Sequence, residues 1–123
     1  MVAAELSRRG FIACPTSRSA HGADILVSDA ECKRAFSIQV KTKTTQARYW
    51  LLSSNYKRLV SNSHVYVFVN IKEDDMLPEF FVIPSRVVAK KAYVERFGKG
   101  SWYSFTVQDA KGYQDRWEIF GGS

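Results

Sequence analysis

The sequence predicts an α+β fold in which about five short strands form a sheet with helices packed against it. Three observations support this fold. A helix-forming stretch opens the chain and ends at Gly10, several apolar stretches of strand length follow, and a second helix-forming stretch begins after Pro84. A chain of 123 residues can bury one core but is too short for two domains, so we expect a single domain over residues 1–123.

The first half of the chain predicts one helix and then mostly strands. Met1–Arg9 is rich in helix formers and stops at a glycine, and Phe11–Cys14 is a short strand stretch before Pro15. The further strand stretches are Ile25–Val27, Arg34–Thr42, Arg48–Ser53, His64–Ile71 and Phe80–Ile83. His64–Ile71 is the most apolar of them, which predicts a central strand.

The second half predicts a helix, a strand and a short final helix. Ser85 is a good N-cap residue for a helix over Arg86–Phe97, and Gly98 is a good residue to end it. Trp102–Val107 is expected to be a late strand, and Gln114–Phe120 a short helix with aromatic anchors.

Positive charge is concentrated in one part of the chain. The net charge is +6, and the stretch between Glu31 and Glu73 contains no acidic residue. Its cations are Lys33, Arg34, Lys41, Lys43, Arg48, Lys57, Arg58 and Lys72. A region of one sign can attract a polyanion, with an affinity that falls as salt rises. A solvated basic face without a ligand is the alternative interpretation.

Polar residues interrupt the apolar strands between His21 and Thr44. Asp24 precedes the first strand, and Gln39 and Lys41 lie two apart in the next, so both point to the same face of that strand. If the two strands form a hairpin, the three side chains converge on one spot that suits a divalent metal ion and a phosphodiester. The alternative is a turn carboxylate beside the exposed face of an amphipathic strand.

These residues resemble the motif of the PD-(D/E)XK nuclease superfamily. The motif has the form D-(14 residues)-Q-V-K here, which resembles the QxK variants of that superfamily. Ser7–Phe11 resembles the end of the helix that precedes this core, and Phe80–Lys90 is similar to a segment of small bacterial members. The usual proline before the aspartate is replaced by Ala23. The resemblance implies a restriction endonuclease-like α/β/α sandwich around a mixed central sheet of about five strands, similar to Holliday-junction resolvases.

The resemblance also implies a metal-dependent DNA endonuclease that hydrolyses phosphodiester bonds. Asp24, the side-chain oxygen of Gln39 and the carbonyl of Val40 would hold Mg²⁺ or Mn²⁺, which prefer oxygen ligands. Lys41 would steer the attacking water or stabilise the developing negative charge. The alternative is a catalytically inactive protein of this fold that acts as a nucleic-acid-binding or interaction module.

The family usually carries a further metal-associated acid near the start of the first helix. Glu5 is the only acid in Met1–Arg9 and is the candidate for that role, with a surface helix charge as the alternative. The helix also begins without a capping signal, so we expect either an incomplete amino terminus or a missing ligand. Because Gln39 replaces a carboxylate, the loss of a second acid would weaken metal binding.

Polar and basic residues around the motif are candidates for contacting nucleic acid. They are Ser17, Arg18, Ser19, His21, Lys43, Arg48, Lys57 and Arg58. A plain connecting loop is the alternative for residues 17–21. Tyr49 and Trp50 could stack on bases or fill the core. The expected partner is double-stranded or branched DNA, with RNA as a second possibility and a homodimer as a possible assembly.

Several other functions find no support in the sequence. No apolar stretch reaches the roughly 18 residues of a membrane span, and the first residues lack a signal-peptide core, so we expect an intracellular, cytoplasmic protein. His21 and His64 have no serine or cysteine in a recognisable catalytic motif, and no glycine-rich phosphate loop is present. Residues 73–75 are acidic, and we expect them to form a turn with solvated side chains.

Overall fold

The computed structural model describes residues 1–16, 24–73 and 76–121. Its helices are α1 (Val2–Arg8), α2 (Ser85–Lys91) and α3 (Val107–Ala110), and two 3₁₀ helices span Lys111–Tyr113 and Trp117–Phe120. Its strands are β1 (Ile12–Pro15), β2 (Ile25–Ser28), β3 (Ala35–Thr44), β4 (Tyr49–Leu51), β5 (His64–Ile71), β6 (Glu79–Pro84), β7 (Tyr93–Phe97) and β8 (Gly100–Thr106).

The strands form two sheets of different size. The larger sheet has the order β1-β2-β3-β5-β6, with β3 and β5 parallel and the other pairs antiparallel. This confirms the predicted α+β fold with a mixed five-stranded sheet. The smaller sheet has the order β4-β8-β7 and is antiparallel throughout. The predicted strand His64–Ile71 is confirmed at both bounds, and it is hydrogen-bonded on both sides within the larger sheet.

One face of the larger sheet packs against helices. Val2 and Leu6 of α1 and Phe120 of the last 3₁₀ helix lie in one buried cluster with Ile38 of β3. Val40 packs against the same cluster. Because side chains alternate along a strand, Gln39 and Lys41 must point to the opposite face.

The opposite face packs against the smaller sheet as well as against helices. Trp50 of β4 and Phe105 of β8 share a second buried cluster with Phe68 of β5 and Val88 of α2. The Phe68 and Phe105 rings are stacked with centroids 5.2 Å apart, and the Trp50 indole donates a hydrogen bond of 2.9 Å to the Val69 carbonyl. The layer on this side is therefore part sheet and part helix, whereas the expected sandwich had helices in both outer layers.

The predicted helix Arg86–Phe97 is wrong in its second half. Helix α2 ends at Lys91, and Tyr93–Phe97 forms strand β7 instead. This segment pairs with β8 through a tight hairpin at Gly98, whose positive φ of 51° favours glycine. Ser85 is not the N-cap. Its buried hydroxyl instead donates to the Ser61 carbonyl at 2.9 Å, which ties α2 to the segment before β5.

The outer face of the smaller sheet is exposed and rich in large apolar side chains. The register pairs Leu51 and Tyr93 with Ser104 and pairs Glu95 with Trp102, so these residues share that face. The exposed side chains on it are Tyr49, Leu51, Tyr93, Phe97 and Trp102. None of the helices in the described ranges has the length and apolar character that a membrane span requires.

Neighbouring residues of β4 provide a test of this packing. Trp50 is 1% exposed and Tyr49 is 41% exposed on the other face of the same strand. Trp50→Ala should lower the free energy of unfolding by about 3–5 kcal/mol, because it leaves a cavity between the sheets. Tyr49→Ala should change it by no more than about 0.5 kcal/mol. Urea denaturation of both variants measures the difference, and equal losses would contradict the two-sheet packing.

Candidate active site

The candidate site lies where the β2–β3 hairpin meets the smaller sheet. The predicted hairpin is confirmed, with Ile25 opposite Ile38 in the antiparallel register. Asp24 stands just before β2, and its backbone N–H donates to the Ile38 carbonyl at 2.8 Å. Its carboxylate Oδ2 accepts a hydrogen bond of 2.7 Å from the Val40 N–H. The carboxylate is thus fixed beside the segment of β3 that carries Gln39 and Lys41.

Gln39 is a buried amide side chain whose oxygen atom is available to a ligand. It is only 9% exposed, and its Oε1 atom is buried without a hydrogen-bond donor among the described residues. A buried acceptor left without a partner costs about 1–3 kcal/mol. A bound cation or a water molecule would remove this cost, so the environment of Oε1 suits a ligand atom better than a purely structural one.

Lys41 is partly buried on the same face of β3 as Gln39. Its Nζ donates to the Ser53 hydroxyl at 3.2 Å. Burial lowers the pKa of Lys41, and the Asp24 charge acts in the opposite direction. The two groups are therefore close enough to interact electrostatically, and the lysine is held by a neutral hydroxyl group.

The oxygen atoms at this site match the preference of Mg²⁺ and Mn²⁺, but their total charge is low. The donors that the motif resemblance assigns to the metal are the Asp24 carboxylate, the Gln39 amide oxygen and the backbone carbonyl of Val40. No group of three or more His, Cys, Asp or Glu residues suited to a metal ion occurs within the described ranges. Mg²⁺ commonly uses one or two carboxylates and fills its other positions with water and substrate phosphate, so these residues fit it.

Glu5 does not join this site. Helix α1 packs against the face that carries Ile38 and Val40, whereas Gln39 and Lys41 point to the other face. The Glu5 carboxylate is engaged by Arg8 and, at 2.6 Å, by Arg9. The hydrogen bond from Arg8 contributes most to lowering the pKa of Glu5. The expected role of Glu5 as a metal ligand is therefore not supported, because it pairs within its own helix.

Lys43 is not part of an exposed basic surface. It is 9% exposed, and its ammonium lies 4.9 Å from the Trp50 ring centroid and donates to Asn70 Oδ1 at 2.9 Å. The Asn70 amide in turn donates to Glu79 at 2.9 Å. The lysine was expected to contact nucleic acid, but its charge is used inside the protein between the two sheets.

The remaining candidates for nucleic-acid contact divide into two groups. Ser17, Arg18, Ser19 and His21 lie outside the described residues. Arg48, Lys57 and Arg58 are exposed on the surface, and their role in binding stays a prediction. Of the two aromatic candidates, Trp50 fills the core, while Tyr49 lies on the exposed face of the smaller sheet.

Sequence reasoning did not find Ser53, the hydrogen-bond partner of Lys41. Ser53 follows β4, and that strand belongs to a different sheet from Lys41. The contact depends on how the smaller sheet packs over β3, and no sequence signal at Ser53 indicates it. Asn70 and Glu79 were missed for a related reason, because strand pairing brings them to Lys43.

The arrangement of strands and helices is a restriction endonuclease-like α+β fold. It is similar to the structure of Hjc, a Holliday junction resolvase from Archaeoglobus fulgidus, with a TM-score of 0.60 over 98% of this chain and 94% of that chain. It is also similar to a bacterial homing endonuclease, I-Ssp6803I, with a TM-score of 0.59 over 96% of this chain and 81% of that chain. Identity is 16% in both cases. The likeness is therefore one of fold.

No protein-family model matches the sequence, and no curated protein matches it either.

The interaction between Asp24 and Lys41 can be tested without an activity assay. Asp24→Asn should lower the pKa of Lys41 further, because the aspartate charge now raises that pKa against the effect of burial. The asparagine can still accept the hydrogen bond from Val40 N–H, so the hairpin should persist. An NMR titration of the Lys41 side chain measures the shift. Glu5→Gln is the control and should leave the titration unchanged, and an unchanged Lys41 pKa in Asp24→Asn would contradict the geometry.

Proposed function

We propose that this protein is a metal-dependent DNA endonuclease that hydrolyses phosphodiester bonds. The observation that supports the proposal is a buried Gln39 Oε1 without a hydrogen-bond donor among the described residues. It lies on the strand whose Val40 N–H holds the Asp24 carboxylate and whose Lys41 interacts with the Asp24 charge. The restriction endonuclease-like fold supports it, because two solved structures of similar fold are a Holliday junction resolvase and a homing endonuclease. Double-stranded or branched DNA is the proposed substrate, and RNA is a comparison substrate.

Three groups of the chain would hold Mg²⁺ or Mn²⁺. They are the Asp24 carboxylate, Gln39 Oε1 and the Val40 carbonyl. A bound divalent ion supplies activation of the attacking water and neutralisation of charge on the phosphoryl oxygens. The Val40 N–H holds the Asp24 carboxylate against β3 through a hydrogen bond.

Lys41 would act on the charge that develops during hydrolysis. Its ammonium lies in a partly buried place, where an electrostatic interaction is stronger than in water. It would stabilise negative charge on the phosphoryl group or orient the attacking water. Ser53 acts as a positioning residue, because its hydroxyl holds the lysine without neutralising it.

A second candidate function is nucleic-acid binding without cleavage. One observation favours it, namely that Asp24 is the single carboxylate in the proposed donor set within the described residues. A site with one negative charge binds a divalent ion more weakly than a site with two. The exposed cations Arg48, Lys57 and Arg58 would serve either function.

Cleavage assays with Mn²⁺ distinguish the two functions. Asp24→Asn and Lys41→Ala should each reduce the rate of DNA cleavage by about 10²-fold or more, because each removes a charged group that acts on the reacting phosphate. Glu5→Gln is the matched control and should retain full activity. Plasmid, single-stranded DNA, four-way junctions and RNA are the substrates, and calorimetry with Mn²⁺ should show binding that is lost in Asp24→Asn.

Two results would contradict the proposal. Cleavage that survives both substitutions would mean that the activity belongs to another site or to a contaminant. An absence of both ion binding and cleavage, with salt-sensitive DNA binding retained, would favour the binding module.

A further inference from the structure

A cleft of about 470 Å³ lies between the inner face of the smaller sheet and the segment that follows β4. Two cationic side chains, Lys57 and Arg96, line it together with the hydroxyl-bearing residues Ser54, Ser101 and Tyr103. No acidic residue among those that the structure describes lines the cleft. A cleft with two positive charges and several hydroxyl donors has the chemistry of a phosphate-binding site.

The strand register explains why this cleft has a single sign of charge. Arg96 is paired with Ser101, and the next pair, Glu95 with Trp102, points to the opposite face of the sheet. The neighbouring carboxylate is therefore directed away from the cleft. Tyr103 packs against Tyr56 with ring centroids 5.3 Å apart, which fixes the segment carrying Ser54 and Lys57 over the sheet.

In the part of the chain that the structure describes, the two cations have no ion-pair partner. Neither Lys57 nor Arg96 takes part in an ion pair or a side-chain hydrogen bond with any other described residue. Lys43 and Lys72, in contrast, are both engaged within the fold, Lys43 by Asn70 and Lys72 by Glu79 at 3.5 Å. Two like charges around one cleft repel each other, and a bound anion relieves that repulsion.

Two consecutive residues link the cleft to the candidate active site. Ser53 accepts the hydrogen bond from Lys41, and the next residue, Ser54, lines the cleft. Consecutive Cα atoms are about 3.8 Å apart, so the cleft begins close to the Lys41 ammonium. A nucleic-acid strand with one phosphate at Lys41 could therefore place a neighbouring phosphate in the cleft.

We propose that this cleft binds a backbone phosphate of the nucleic acid next to the one at Lys41. Lys57 and Arg96 supply the charge, and Ser54, Ser101 and Tyr103 supply hydroxyl donors. The proposal takes its ligand from the proposed function, but phosphate binding here does not require cleavage. The cleft therefore extends the candidate site from the larger sheet onto the smaller one.

Binding measurements in EDTA test the cleft separately from catalysis. The variant is the double substitution Lys57→Gln with Arg96→Gln, and the matched control is Lys90→Gln with Lys111→Gln, which removes the same charge from two exposed positions elsewhere. Fluorescence anisotropy with a labelled four-way junction and a labelled duplex is recorded over a range of salt concentrations. Circular dichroism checks that both variants fold.

The cleft variant should bind at least about 10-fold more weakly than the unsubstituted protein at low salt. The slope of log K against log salt should become shallower by about 0.9 for each duplex phosphate contact that is lost. The control variant should show the same salt slope as the unsubstituted protein. Equal losses in the two variants, or an unchanged slope in the cleft variant, would overturn the proposal.

The failure of this proposal can be told apart from failure of the proposed function. If Asp24→Asn and Lys41→Ala leave cleavage unchanged while the cleft variant binds more weakly with a shallower salt slope, the cleft proposal is upheld and the endonuclease assignment is wrong. If the cleft variant binds and cleaves normally while Asp24→Asn is inactive, the endonuclease assignment is upheld and the cleft proposal is wrong.

Discussion

Strand β3 and the alternation of its side chains constrain everything else in this structure. Ile38 and Val40 complete the core beneath α1, so Gln39, Lys41 and Lys43 are forced onto the face that the smaller sheet covers. Three polar side chains at alternate positions of β3 are thus covered by the smaller sheet. Burial of such groups is costly unless each finds a partner, and the partners that they find determine what each residue can do.

The two lysines of β3, Lys41 and Lys43, have different hydrogen-bond partners and therefore different roles. Lys43 is satisfied by Asn70 and the Trp50 ring, and Glu79 supplies a countercharge one residue further along the network. Burial lowers its pKa while the Glu79 charge opposes that effect. Among the described residues, Lys41 has the Ser53 hydroxyl as its one hydrogen-bond partner, so more of its charge is available to a ligand. A structural lysine and a candidate catalytic lysine thus stand two positions apart on one strand.

The parts of the site that depend on strand periodicity were predictable from the sequence, whereas the parts that depend on tertiary packing were not. Alternation placed Gln39 and Lys41 together, and two apolar stretches with a polar turn gave the hairpin that brings Asp24 to β3. The sequence assigns Tyr93–Phe97 to a helix because Val94 and Phe97 continue the apolar stripe of α2 up to Gly98, whereas pairing with β8 makes this segment a strand. The burial of Lys43 and the contact of Ser53 with Lys41 arise from contacts distant in sequence. The pairing of Glu5 with Arg8 and Arg9 is local, three and four positions along α1.

We propose that Gln39 Oε1, which is buried without a hydrogen-bond donor among the described residues, is a ligand atom for a cation. Crystals soaked in Mn²⁺ and measured for anomalous scattering test it most directly. We expect one anomalous peak at a coordination distance of about 2.1 Å from Gln39 Oε1 and from an Asp24 carboxylate oxygen, and we expect the peak to be absent in Asp24→Asn. A map with no peak there, and with an ordered water or a rotated amide completing the hydrogen bonds of Gln39, would contradict it.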